Sequence, residues 1–85
     1  MLDQALQLAR EGQPERAIAL LNQAARLGAD VWQTFQYRGE LRMLQGDAAG
    51  AYEDFSRALR LAPGELHLQM LRERAQRLLG SAETE

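Results

Sequence analysis

The chain has 85 residues, of which 46% are hydrophobic, a formal net charge of −2 and no cysteine. A chain of this length forms at most one domain, whose core supplies only about 3–5 kcal/mol of net stability. The lack of cysteine excludes disulfides and thiolate chemistry. No apolar run approaches the roughly 18 residues of a membrane span. Because acids and bases are interspersed, nucleic acid and anionic membranes are disfavoured as partners.

Glycine and proline divide the first half of the chain into two predicted helices. The first covers residues 2–11 and stops at Gly12, which can adopt the positive φ of a helix terminus. Pro14 opens the second, because its missing N–H costs nothing there. That helix runs to about residue 27 and ends at Gly28.

Three more helices are predicted in the second half. The third helix covers residues 31–45, and Asp30 is placed to cap its start. Gly46 ends this helix, and Asp47 caps the fourth helix, residues 48–61. Pro63 and Gly64 end that helix. A fifth takes residues 65–79, and the polar tail, residues 81–85, is expected to be flexible.

A spacing of 34 residues relates the two halves. Gly12 corresponds to Gly46 and Ala17 to Ala51. The later matches are Ala24 with Ala58, Arg26 with Arg60 and Leu27 with Leu61. A fixed period of this length indicates stacked units of secondary structure that bury their apolar faces against one another.

Residues 32–65, WQTFQYRGELRMLQGDAAGAYEDFSRALRLAPGE, resemble a tetratricopeptide (TPR) repeat. The small, aromatic and proline positions of that family are filled by Gly39, Ala51, Phe55, Ala58 and Pro63. Residues 1–31 are similar but looser, with Ala5, Ala17 and Ala24 at the corresponding small positions. The resemblance covers residues 1 to about 65.

The resemblance implies an all-α fold, a short right-handed α-solenoid of antiparallel helix hairpins with five helices. Residues 1–80 would form one domain, made of repeats 1–31 and 32–65 and a capping helix, 65–79. Ala5 would pack against Ala17, and Gly39 against Ala51, so that paired helices approach closely. The capping helix would cover the fourth through an apolar face. That face comprises Leu68, Leu71, Ala75, Leu78 and Leu79.

In TPR proteins the first helices of successive repeats line a concave groove that holds a peptide or helix of a partner protein. The resemblance carries this groove over to three helices of this chain. Its principal residues would be Leu6, Arg10, Gln33, Gln36, Tyr37, Glu40, Met43, Met70, Arg74 and Arg77, with Leu2, Asp3, Ala9, Leu44 and His67 beside them. The carboxylate clamp of chaperone-binding TPR domains is absent, because Asp3, Tyr37, His67 and Leu71 occupy its places. An amphipathic helix or an extended apolar segment is therefore the expected ligand.

Arg38 and Arg42 depart from the family, because these two places are usually apolar or aromatic. They lie one turn apart, and we expect them to reach solvent or to pair with Glu53 or Asp54. A functional anion site is the alternative. All ten basic residues are arginine, which indicates either planar recognition of carboxylates or, more simply, a coding bias.

Catalytic and metal-binding patterns are missing from the sequence. His67 is the one histidine, no hydroxyl residue has an adjacent base, and neighbouring acids such as Glu53 and Asp54 point in different directions from a helix. We therefore expect no enzyme, no cofactor and no metal. The expected function is a cytoplasmic adaptor or chaperone-like module that binds another protein. The alternative is a scaffold that self-associates through the same face or through the ends of the solenoid.

Overall fold

The computed structural model describes residues 2–27 and 31–84, with side chains up to residue 80. These residues form helices joined by turns, with no strand among them. Five helices follow one another along them: α1 (Leu2–Arg10), α2 (Pro14–Arg26), α3 (Trp32–Leu44), α4 (Ala48–Leu61) and α5 (Leu66–Thr84). The prediction of an all-α fold with five helices is confirmed.

The helix boundaries follow from local chemistry at the positions that the sequence marks. Gly12 and Gly46 have φ of 78° and 82°, a left-handed conformation that other residues adopt at a cost. Pro14 stands in the first turn of α2. The Asp47 carboxylate accepts a hydrogen bond of 2.9 Å from the Gly50 amide and so caps α4.

Two boundaries differ from the predictions. Val31 holds the N-cap position of α3 without a side-chain hydrogen bond, and the predicted stop at Gly28 and cap at Asp30 lie outside the described residues. Helix α5 continues through Gly80 to Thr84, so its predicted end at residue 79 is wrong. A single glycine costs a helix only about 1 kcal/mol relative to alanine, and no proline follows it.

Each helix packs against the next one along the chain, and α1 also contacts α3. The small residues singled out by the repeat are buried, among them Ala5 and Ala17 in one core cluster with Leu21. Ala24, Ala51 and Ala58 are buried as well, whereas Pro63 lies in an exposed turn after α4. Burial of these small side chains lets helix axes approach closely.

Gly39 makes room for the aromatic ring of Phe55. A Cβ atom built on Gly39 would lie 2.6 Å from a carbon of the Phe55 ring, closer than real Cβ contacts come. Ala51 is buried in the same cluster as Phe55, and its predicted contact with Gly39 stays a prediction. The glycine is still required by packing, because α3 presents its bare backbone to the ring.

Helix α5 covers α4 with part of the predicted apolar face. Leu68 is buried with Leu59, and Ala75 is buried with Phe55, so α5 closes the core on that side. Leu71 packs against the same two clusters. Leu78 does not belong to this face, because 49% of its surface is exposed.

Candidate functional site

An open pocket of about 410 Å³ lies where α1, α3 and α5 meet, and we call it the central pocket. Its floor is made by core residues such as Leu21 of α2 and Phe55 of α4. Side chains of α1, α3 and α5 make the walls. They consist of Ala5, Leu6, Ala9, Tyr37, Glu40, Leu41, Met43, Leu44, Leu71 and Arg74. The pocket is therefore a mainly apolar concavity with two charged side chains.

The two charged groups in the central pocket stand on different helices. Glu40 belongs to α3 and Arg74 to α5. Neither forms an ion pair with another described residue. Leu44 adds a bulky apolar side chain that is 81% exposed. An apolar pocket with a few convergent polar groups is the usual form of a binding site.

About half of the predicted groove residues lie in this pocket. From the sequence-based set it contains Leu6, Ala9, Tyr37, Glu40, Met43, Leu44 and Arg74. It does not include Leu2, Asp3, Arg10, Gln33, Gln36, His67, Met70 or Arg77. Met70 lies outside the pocket, and 67% of its surface is exposed. Leu41 and Leu71 line the pocket and were not among the predicted groove residues, although Leu71 was assigned to the capping face.

Tyr37 and Met43 line the pocket and also pack against the core. Tyr37 packs against the cluster of Ala5 and Leu21, and Met43 packs against the cluster of Ala51 and Phe55. Both side chains are half-buried. They contribute to the core as well as to the pocket wall, so substitutions there affect folding and binding together.

Gln36 and His67 contact each other instead of facing the pocket. The His67 ring nitrogen Nε2 and the Gln36 oxygen Oε1 are 3.1 Å apart, which joins α3 to α5. The Trp32 ring lies 5.6 Å from the His67 ring between centroids. The Glu65 carboxylate is 3.4 Å from Nδ1 of the same histidine. These contacts hold the start of α5 against α3.

A buried ion cluster joins α2, α3 and α4 on another side of α3. Arg38 donates from Nε and Nη2 to both oxygens of Asp54, at 3.0 and 2.7 Å, and from Nη1 to Asn22 at 2.9 Å. Arg42 donates to Asp54 at 3.0 Å. Asp54 is only 2% exposed. Pairing of both arginines with Asp54, one of the two predicted partners, is confirmed, while Glu53 makes no such contact.

Residues 2–27 and 31–84 hold no group of histidine and acidic side chains arranged to bind a metal ion. No helix in this part of the chain has the length and apolar character needed to cross a membrane. A scan against protein-family models finds no match for the chain, and a search of curated proteins gives no significant match.

Proposed function

We propose that the chain is a TPR-like interaction module, a short right-handed solenoid of antiparallel helix hairpins without enzymatic activity. Three features support this architecture. The 34-residue spacing relates Gly12 to Gly46, and both glycines have the same left-handed φ. Successive helices pack in chain order. Helix α5 covers the apolar side of α4 that a final repeat leaves exposed.

The central pocket carries the functional proposal. It opens between the first helices of the two repeats and α5, where the family's concave groove would lie. The exposed Leu44 makes this concavity an unfilled apolar surface, and such surfaces on soluble proteins usually mark a contact. We assign it to a peptide or amphipathic helix of a partner protein, with the chain acting as an adaptor or as a chaperone-like cover.

The chemistry of the pocket specifies the kind of ligand. Apolar side chains at helical spacing would fill the space above Leu21 and Phe55. Glu40 would attract a basic residue on the α3 side, and Arg74 an acidic residue on the α5 side. These two charges would contribute more to the orientation of the bound helix than to its affinity.

Panning a library of amphipathic helical peptides against the chain tests this proposal. Leu44→Glu is the informative variant, because Leu44 is exposed and can be changed without disturbing the core. Leu27→Glu is the matched control, since Leu27 is 69% exposed at the end of α2 and outside the pocket. Selected peptides should bind Leu44→Glu about tenfold more weakly, a loss of about 1.4 kcal/mol. Equal binding to both variants would contradict the groove assignment.

Self-association is the second candidate function, and Leu78 favours it. This leucine is half-exposed on the terminal helix of the fold, where a further copy could cover it. Sedimentation equilibrium across a wide concentration range is the test. A dimer that Leu78→Gln weakens would support a scaffold built through the ends of the fold. A monomer at every concentration would contradict it.

A further inference from the structure

A second depression, of about 600 Å³, lies across α3, α4 and α5 and shares no residue with the central pocket. We call it the arginine depression. Five arginines and two acids line it, which gives it a formal charge of +3 in a chain whose net charge is −2. The arginines are Arg38, Arg42, Arg57, Arg60 and Arg72, and the acids are Glu53 and Asp54.

The five arginines are not equivalent. Arg38 and Arg42 are committed to Asp54. Among the described residues, Arg57, Arg60 and Arg72 form no ion pair. Their guanidinium groups therefore keep their N–H donors for another acceptor. A planar guanidinium fork matches the two oxygens of a carboxylate.

Arg57 is held in place by the core. Its guanidinium carbon lies 4.8 Å from the centroid of the Phe35 ring, within cation–π range, and Phe35 is fully buried. Arg38 lies over the same ring at 5.5 Å. A rigid ring therefore restricts where Arg57 can point. This restriction lowers the entropy that the side chain loses when it binds a ligand.

We propose that the arginine depression binds an acidic segment of a protein, with aspartate or glutamate carboxylates as ligands of Arg57, Arg60 and Arg72. The Arg38–Asp54 pair is an internal precedent, because it already holds a carboxylate through two parallel hydrogen bonds. Glu53 in the lining repels any anion, and it repels a doubly charged phosphate more strongly than a carboxylate with a single charge.

Fluorescence anisotropy with a labelled oligoglutamate peptide tests the proposal. The variant Arg57→Gln/Arg60→Gln removes two exposed charges from the depression. The control Arg16→Gln/Arg26→Gln removes two exposed charges from α2, outside both the arginine depression and the central pocket. Affinity should fall about tenfold in the first variant, corresponding to two exposed pairs of about 0.7 kcal/mol each. It should change less than about twofold in the control. Circular dichroism should show both variants folded.

Inorganic phosphate and single-stranded DNA, measured at the same ionic strength, provide the other arms. Tighter binding of either ligand than of oligoglutamate would overturn the carboxylate assignment. An equal loss in both double variants, or a larger loss in the control, would show that only overall charge matters and would overturn the site. A larger loss in Arg74→Gln than in Arg57→Gln/Arg60→Gln would move the ligand to the central pocket. Absence of oligoglutamate binding at low salt would refute the site. The variant Arg57→Lys should lose part of the affinity, because lysine keeps the charge without the planar fork.

Discussion

Replacing Asp54 with alanine should destabilise this domain more than any other single loss of charge described above. The carboxylate is buried, and it accepts three hydrogen bonds from Arg38 and Arg42. Removing one partner of a buried ion pair typically costs about 3–5 kcal/mol, because the remaining charge is left uncompensated. The arginine side chains are 13% and 26% exposed and can relax partly towards water, which favours the lower end, about 3 kcal/mol.

A loss of this size is comparable to the whole net stability of a domain this small, about 3–5 kcal/mol. Urea unfolding followed by far-UV circular dichroism should show the midpoint of Asp54→Ala close to zero denaturant. The melting temperature should fall by at least about 10 °C. Asp54→Asn, which keeps the size and removes the charge, should lose nearly as much. Its behaviour separates loss of charge from loss of packing.

The adjacent Glu53→Ala is the matched control, since it removes the same formal charge from an exposed position on α4. Its effect should lie within about 0.5 kcal/mol. A double-mutant cycle between Asp54→Ala and Arg38→Ala should give a coupling energy of about 1–3 kcal/mol. If Asp54→Ala and Glu53→Ala unfold at the same urea concentration, the ion cluster contributes no stability and the reasoning is refuted.

Three other substitutions test the packing. Gly39→Ala should cost about 1–3 kcal/mol in thermal unfolding, because the new methyl group meets the Phe55 ring, and Phe55→Leu should recover part of that loss. Leu68→Ala should cost about 2–5 kcal/mol in urea, while the exposed Leu66→Ala should cost little; equal effects would contradict the role of α5 as a cover. Asp47→Ala should cost about 1 kcal/mol through loss of the cap of α4, and unchanged hydrogen exchange in the first turn of α4 would argue against it.

The sequence predicts the helix boundaries well wherever local backbone chemistry decides them. Gly12 and Gly46 need a left-handed φ, and Pro14 and Asp47 act within one turn of their own positions. No distant partner is involved in these choices. The end of α5 was missed because Gly80 is a weak stop when no proline or cap accompanies it.

Side-chain environments are less predictable because they depend on contacts between helices. The helical spacing of Leu78 matches that of Leu68 and Ala75, yet Leu78 is half-exposed and does not join the core cluster that holds Ala75. The arginine depression is predicted only in part, because the alternative of an anion site rests on Arg38 and Arg42, which the structure pairs with Asp54. Its open arginines come from α4 and α5, and the sequence signal for them is the spacing of Arg57 and Arg60 by about one turn.

The Trp32–His67 contact provides a spectroscopic probe of the attachment of α5 to the rest of the fold. Trp32 is the single tryptophan of the chain, and its ring lies against His67, the second residue of α5. Indole emission depends on solvent exposure and on neighbouring groups. Detachment of α5 would therefore change the emission while α1 to α4 kept their helical circular dichroism. Comparing the two signals during unfolding would show whether the final helix leaves first or together with the rest.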